Sequence, residues 1–190
     1  MSDAAAKRRA RQTIVNLVLS LAATVGLVIV MVLIVPRDDS NQIQHVDYKK
    51  VAAEAAMATE RPVIVPEIEA GWWSNSARWT AKPKDGTDAS WYVGFVGPDN
   101  QYIGMTQTYN TNPTWLALQL NDLKDTGKKL LDGKWSVWVS KEKHTPAKTK
   151  DYLLVSSKDV DTILIYGTAS EAAMMSFANG VSSQILKVYP

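Results

Sequence analysis

The most distinctive feature of the hydrophobic pattern is an apolar run over residues 14–35 that contains no charged residue. A helix over this run would be about 33 Å long, and the hydrocarbon core of a membrane is about 30 Å thick. We therefore predict a transmembrane helix from Ile14 to Val35. The alternative is a cleaved signal peptide, whose apolar region is shorter, about 7–15 residues, and ends in a small-x-small cleavage site. No such site directly follows this run, so the pattern favours an uncleaved anchor.

Basic residues flank the run unevenly. Those that precede it are Lys7, Arg8, Arg9 and Arg11, whereas only Arg37 follows closely. Because positive charge is retained on the cytoplasmic side, we predict a single-pass protein of the plasma membrane with its N-terminus in the cytoplasm. The predicted parts are a cytoplasmic tail (1–13), the transmembrane helix (14–35), a tether (36–46) and an extracytoplasmic domain (47–190).

One face of the predicted transmembrane helix is polar and small. Asn16, Ser20 and Thr24 recur every four residues, with Ala23 beside them, and residues at this spacing share a helix face. Small and polar side chains are typical of contacts between helices in lipid, so this face predicts a membrane partner in the same bilayer. The alternative is that the hydroxyl groups bond to the backbone of their own helix.

The exported part alternates between short apolar stretches and turn signals. Residues 47–59 favour a helix with Asp47 as its N-cap, and residues 62–66 favour an extended segment confined to a sheet edge by its prolines. A second helix is expected over 112–123, closed at Thr126–Gly127. Thr168 and Glu171 form a predicted capping box for the last helix. Predicted strands cover residues 72–81, 91–96, 102–108, 135–140, 152–156 and 162–166, with a hairpin turn at Asp85–Gly86 between the first two. The expected fold class is α+β, an antiparallel sheet with helices packed on one of its faces.

The composition excludes several classes of function. Beyond the basic tail, acidic and basic residues nearly balance, so we expect no nucleic-acid binding, which needs a clustered basic face. The absence of cysteine excludes disulfides, a thiol nucleophile and thiolate metal sites.

Catalytic motifs are weak. His45 and His144 are the only histidines and lack ligand partners at metal-site spacing, so we predict no metal or cofactor and interpret His144 as a solvated loop residue. Ser140 and Lys143 match S-x-x-K, but the companion K-T-G is absent. Glu67 and Glu69 leave open a hydrolase with a carboxylate pair, although a solvated face is the favoured interpretation.

Tryptophan is unusually frequent, and all seven tryptophans fall in the exported part. Trp135 and Trp138 are predicted on opposite faces of one strand, and large aromatic side chains mostly fill cores. Trp72 and Trp73 are adjacent in a predicted strand, so their side chains point to opposite faces. We expect one of them to be exposed and to contact a partner or ligand.

Several sequence blocks together resemble a known family. They are PEIEAGW from Pro66, SARW from Ser76, WYVGFVGPDNQYIGMTQ from Trp91, GKWSVW from Gly133 and ILIYGTASE from Ile163. These blocks resemble the actinobacterial family of membrane-anchored proteins known as domain-of-unknown-function family four-two-four-five, over nearly the whole chain. The resemblance implies an envelope location and a small exported domain, but no activity. Small single-pass proteins of this kind accompany the respiratory supercomplex of such bacteria, so an accessory role is implied by analogy.

Three functions are therefore open. The leading hypothesis is a non-enzymatic accessory or interaction subunit of a membrane complex in the cell envelope, with Trp72 or Trp73 as its contact. The second is an extracytoplasmic binding module for a cell-wall or lipid ligand, which a Trp-lined groove would favour. The third is the hydrolase with a carboxylate pair.

Overall fold

A computed structural model describes residues 2–34, 44–59, 61–81, 89–144 and 148–188. The chain divides into two compact units, Met1–Gln42 and Ile43–Pro190. Val35, residues 36–43 of the predicted tether and the predicted turn at Asp85–Gly86 lie outside the described residues.

The first unit contains one long helix, α1 (Ser2–Ile34). Its segment Lys7–Ile34 is long and apolar enough to cross a membrane. A membrane anchor and a signal sequence both have this form.

The second unit contains seven described strands and three described helices. In chain order they are α2 (Tyr48–Ala58), β1 (Trp73–Thr80), β2 (Ala89–Val96), β3 (Tyr102–Tyr109), α3 (Pro113–Leu120), β4 (Leu123–Leu130), β5 (Trp135–Ser140), β6 (Tyr152–Lys158), β7 (Asp161–Gly167) and α4 (Glu171–Val188). The strands form one sheet in the order β1-β2-β3-β7-β6-β5-β4. Every neighbouring pair is antiparallel, which confirms the α+β fold class.

The main hydrophobic core lies on one face of the sheet. Trp91, Val93 and Phe95 alternate along β2 and are fully buried, as the alternation in WYVGF predicts. Residues of α2 and α4, among them Ala52 and Val181, pack on the same core.

A smaller core on the second face corrects the prediction that all helices share one side. Trp115 and Leu120 of α3 pack there against Leu123, Leu153 and Leu164. Trp135 lies in the main core and Trp138 beside the smaller one, so the prediction that they occupy opposite faces is confirmed.

Strand β4 was not predicted from the sequence. The predicted helix ends early, at Leu120, and Thr126–Gly127 lies within β4 rather than in a helix stop. The strand has a register irregularity against β5 between Asp125 and Lys129, where Gly127 has φ 71°. Its interior side chains are exposed, so it carries no apolar alternation.

Residues 62–66, which we term the crosspiece, do not form an edge strand. Ile64 is fully buried in the main core, its N–H donates to Gln107 Oε1 at 3.0 Å, and its carbonyl accepts from Trp91 Nε1 at 2.9 Å. The prolines therefore do not confine the segment to an edge. Side chains replace the missing ladder partners, which satisfies the buried backbone groups.

The start of α4 also differs from the prediction. Ser170 Oγ accepts from the N–H of Ala173 at 3.2 Å, so Ser170 performs the capping role. The Thr168 hydroxyl oxygen instead accepts from the N–H of Tyr102 at 3.0 Å. Thr168 still pairs with β3, so the predicted capping box with Glu171 is wrong. At α2, Asp47 accepts from the N–H of Lys50 at 3.1 Å, which confirms that N-cap.

Candidate functional site

The second face of the sheet is covered over only part of its width. Helix α3 packs over β4, β6 and β7 through the smaller core. Among the described residues of this unit, no helix packs over β1–β3 on that face. The uncovered part is a groove of about 480 Å³, which we term the tyrosine groove. It is lined by Ser76, Arg78, Thr80, Ser90, Tyr92, Thr106, Trp115 and Tyr166.

Two glycines on adjacent strands lie on the sheet surface next to this groove. Gly94 of β2 lies directly opposite Gly104 of β3. A Cβ atom at Gly94 would lie 2.6 Å from the Tyr102 hydroxyl oxygen and 2.9 Å from that of Tyr92. A Cβ atom at Gly104 would lie 2.8 Å from Cε2 of Tyr166. The missing side chains therefore provide the space in which three tyrosine side chains meet.

The tyrosine hydroxyls are linked by hydrogen bonds. The Tyr92 and Tyr102 hydroxyls bond to each other, and the Tyr166 hydroxyl lies 3.2 Å from Thr106 Oγ1. Burial raises the pKa of Tyr102, and the hydrogen bond between its neutral hydroxyl and Tyr92 adds to this shift. Burial also raises the pKa of Tyr166, although Thr106 and Arg78 oppose the shift. Both phenols therefore remain neutral at physiological pH and can donate as well as accept hydrogen bonds.

The charge of the groove is positive. The guanidinium of exposed Arg78 lies 5.3 Å from the centre of the Tyr92 ring, within cation–π range. Lys150 Nζ lies 5.8 Å from the centre of the Tyr166 ring and 2.6 Å from Gln119 Oε1; burial lowers its pKa. Within the described part of the chain, no residue lining the groove is acidic and Arg78 forms no ion pair. The groove therefore attracts anionic groups.

The predicted contact residues Trp72 and Trp73 do not line the tyrosine groove. Both side chains are half-buried. Trp73 stacks on His45, with ring centres 4.2 Å apart, and Trp72 packs against the main core. Neither tryptophan is therefore the exposed aromatic that we expected from the sequence.

Trp72 instead lines a cavity of about 50 Å³ together with Glu67 and Glu69. This volume holds only a few water molecules. Glu69 Oε1 accepts a hydrogen bond from Ser176 Oγ at 2.6 Å. The two glutamates thus share a cavity, but one that is too small for a saccharide or peptide substrate.

A third cavity, of about 490 Å³, contains Ser140, His144 and Asp151. His144 Nδ1 lies 2.7 Å from Asp151 Oδ1 and its side chain is 22% exposed, which corrects its interpretation as a solvated residue. Ser140 Oγ accepts from the N–H of Glu142 at 3.2 Å. Among the described residues no hydrogen bond joins Ser140 to His144, so the pairing of nucleophile and base that acyl transfer needs is not formed.

No group of three or more His, Asp or Glu side chains that could hold a metal ion occurs among the described residues. The groove itself offers hydroxyl, phenol, indole and guanidinium groups. Such groups suit the recognition of a ligand better than the coordination of a cation.

The predicted helix-packing face lies on α1. Ile14, Asn16, Ser20, Ala23 and Thr24 are all exposed. Thr24 Oγ1 donates to the Ser20 carbonyl at 2.9 Å, as the alternative interpretation expects. The side-chain amide of Asn16 has no hydrogen bond within the described part of the helix.

Sequence reasoning missed the tyrosine groove, although a signal for it was present. Gly94 and Gly104 lie equally far from the centre of the turn between two predicted antiparallel strands, so the hairpin places them opposite each other. Tyr92 and Tyr102 flank them at alternate positions, on the same face. Tyr166 joins them only through the long-range pairing of β7 with β3, which local patterns do not show.

Comparisons with curated proteins and with solved structures each returned no match. The family model described as "Protein of unknown function (DUF4245)" matches residues 9–181. The match covers most of both units and agrees with the resemblance seen in the sequence blocks, so the chain belongs to this family of unknown function.

Proposed function

We propose that this chain is a non-enzymatic binding protein of the cell envelope, anchored by α1, with an extracytoplasmic domain that binds its target through the tyrosine groove. The observation that carries this proposal is the uncovered, positively charged and aromatic part of the sheet. On the same face, α3 covers the neighbouring part of the sheet through the smaller core. A concave surface with a few convergent polar groups is the usual form of a binding site.

The groups in the groove favour binding over catalysis. Among the described residues no carboxylate or histidine lines it, and the raised pKa of Tyr166 makes its phenolate a rare species at neutral pH. General base catalysis needs a group that accepts a proton near the working pH. The groove is thus suited to recognition.

Anchoring by α1 is supported by its apolar composition and by the basic residues before its apolar run. The side chains of residues 11–34 are exposed throughout, and mostly apolar side chains on all sides suit a lipid environment. The predicted orientation places residues 1–13 in the cytoplasm and the sheet domain outside.

The test of location uses the full chain with a C-terminal tag in its native host. We expect the protein to have the mass of the uncleaved chain and to remain in membranes after an alkaline carbonate wash. We also expect protease to digest the tagged domain when it is added to cells whose outer layers have been made permeable. A mature protein cleaved after the apolar run and released by the wash would contradict the anchor. A tag protected in right-side-out vesicles would contradict the orientation.

The test of binding is retention of purified full chain on isolated cell envelopes. Tyr92→Ala and Tyr166→Ala, which remove groove rings, should lower retention. Leu118→Ala, which removes an exposed side chain of α3 outside the groove, should not. Equal retention of all four proteins would contradict a role for the groove.

A second candidate is an accessory subunit of a membrane complex, by analogy the respiratory supercomplex. Asn16 favours it, because an amide without a partner in its own helix gains a hydrogen bond by packing on another helix in lipid. Asn16→Leu combined with Ser20→Leu should then remove co-purifying membrane proteins from a mild-detergent pull-down. Ala23→Leu tests close approach on the same face. If every partner remained with these variants, α1 would be only an anchor.

A further inference from the structure

The positive charge of the tyrosine groove is not neutralised within the described residues. Arg78 is exposed and lies on the ring of Tyr92, and the described lining residues include no carboxylate. A guanidinium held against a ring keeps its N–H donors directed outward, and its planar fork matches a carboxylate or a phosphate. The charge therefore complements an anionic ligand.

The rest of the lining is rich in hydroxyl groups. Ser76, Thr80, Ser90 and Thr106 supply hydroxyls on three adjacent strands. Each hydroxyl can donate one hydrogen bond and accept two. Such a surface matches a ligand that itself carries many hydroxyl groups in a fixed arrangement.

Aromatic rings complete the groove. Tyr92 and Tyr166 rise from the sheet, and Trp115 of α3 forms a side wall. Their faces carry a negative quadrupole, which attracts the polarised C–H groups on the flat face of a sugar ring. The volume of about 480 Å³ lies within the usual range for small-molecule sites, about 300–1,000 Å³.

A protein partner would need different features. Protein interfaces centre on fully desolvated anchors surrounded by a polar rim, whereas here hydroxyl groups lie among the rings across the floor. The lining thus favours a polyhydroxylated ligand over a protein surface.

We propose that the tyrosine groove binds an anionic saccharide, with its carboxylate or phosphate on Arg78 and its rings on Tyr166 and Trp115. The proposal rests on the proposed binding function and names the class of its ligand. Recognition is by charge, stacking and hydroxyl bonds together, so none of them suffices alone.

The experiment measures binding by calorimetry with the full chain in detergent micelles. The probes are trigalacturonate, which carries carboxylates, a maltotriose phosphate, neutral maltotriose and the acidic peptide hexaglutamate. We expect one of the two anionic sugars to bind at least tenfold more tightly than maltotriose and hexaglutamate, and to weaken as salt is added. The anionic sugar that binds more tightly shows whether the groove prefers a carboxylate or a phosphate.

The variants separate recognition from folding. Arg78→Gln should weaken the anionic sugar about tenfold or more, because a charge-assisted hydrogen bond is lost, and Arg78→Lys should recover only part. Lys124→Gln makes the same change of charge at an exposed position of β4 outside the groove and should bind as wild type. Tyr166→Phe, which keeps the ring, should bind better than Tyr166→Ala.

Three results would overturn the proposal. They are equal binding of hexaglutamate and the anionic sugars, which would indicate a site for acidic proteins; equal loss in Lys124→Gln and Arg78→Gln; and binding of no sugar at all. Envelope retention that depends on Tyr166 would still support the proposed function in each case, so the two proposals fail separately.

Discussion

Gln184 of α4 holds Val65 of the crosspiece through a reciprocal pair of hydrogen bonds. The N–H of Val65 donates to Gln184 Oε1 at 3.0 Å, and Gln184 Nε2 donates to the Val65 carbonyl at 2.5 Å. One amide side chain thus replaces both partners that a neighbouring strand would have supplied. The crosspiece is fixed to α4 in the same way that an edge strand is fixed to a sheet.

Replacement of Gln184 should therefore destabilise the domain. Gln184→Leu leaves the N–H and carbonyl of half-buried Val65 without these partners, and each lost hydrogen bond costs about 0.5–1.5 kcal/mol. Chemical denaturation of the full chain in detergent would measure the change. Asn179→Leu, at an exposed position of the same helix, is the control and should cost less. Equal loss in both would mean that the amide bonds contribute nothing specific.

Gly167 at the end of β7 should not tolerate even one added carbon. A Cβ atom there would overlap the backbone carbonyl of Tyr102, and a backbone atom in a paired strand cannot move aside. Gly167→Ala should destabilise the domain by about 1–3 kcal/mol or more. Gly180→Ala in α4 is the matched control, because nothing lies within 4 Å of its added carbon. That substitution should stabilise by about 0.5–1 kcal/mol. A stable Gly167→Ala variant would show that β3 and β7 do not approach as described.

Arg61 and Asp161 form an ion pair at the start of β7. Arg61 Nη2 lies 2.9 and 3.0 Å from the two carboxylate oxygens, and Asp161 Oδ1 also accepts from the N–H of Asn110 at 2.9 Å. Asp161 is buried, whereas Arg61 is 39% exposed. Arg61→Ala should cost about 1.5–3 kcal/mol, the value of hydrogen bonds to a charged group. Arg61→Lys should cost less. The two variants would unfold at the same temperature if the pair contributed no charge-dependent stability.

Asp151 should make stability depend on pH in the acidic range. Its burial would raise the pKa of its carboxyl group, but hydrogen bonds from the Lys148 N–H and from His144, with the positive charges of both residues, lower it overall. The folded state therefore favours the carboxylate, so the stabilisation is complete above the unfolded value of about 3.8. It is lost as the pH falls through the lower folded value.

The measurement is the melting temperature of wild type and Asp151→Asn between about pH 6 and pH 3. Wild type should melt higher at the upper end, and the difference should shrink below the unfolded pKa. In a His144→Gln background, the effect of Asp151→Asn on the melting temperature should be smaller at the upper end of this pH range, because the hydrogen bond and charge of His144 are lost. A difference that grows on acidification would show that the sign of the pKa shift is wrong.

The sequence predicted most of the sheet because its central strands carry their own pattern. Trp91, Val93 and Phe95 alternate without interruption, and turn residues mark both ends of that strand. β4 could not be predicted in this way. Its exposed lysines and Gly127 resemble a loop, and charged residues on an edge strand protect it against pairing with other chains. The sequence therefore shows buried strands much better than protected edges.

The contacts of the crosspiece and the position of the groove could not be predicted from the sequence for a different reason. Pro62 and Pro66 suggested an edge because local rules consider only backbone partners, whereas Ile64 is satisfied by Gln107 from β3. Trp72 and Trp73 were the predicted aromatic contacts, because adjacent strand residues point to opposite faces. The groove instead depends on two absent side chains, at Gly94 and Gly104, and on a long-range strand pairing.

The crosspiece also sets an order for the folding of the domain. Its partners Gln107 and Gln184 lie 43 and 119 residues from Ile64 and Val65 along the chain. Contacts at such separation carry a large loop-closure entropy and form late. The hydrogen bonds with Gln107 and Gln184 require β3 and α4 to be in place, so we expect the docking of residues 62–66 to be completed late in folding. Substitutions that weaken the contacts of this segment should therefore raise the unfolding rate and leave the folding rate almost unchanged.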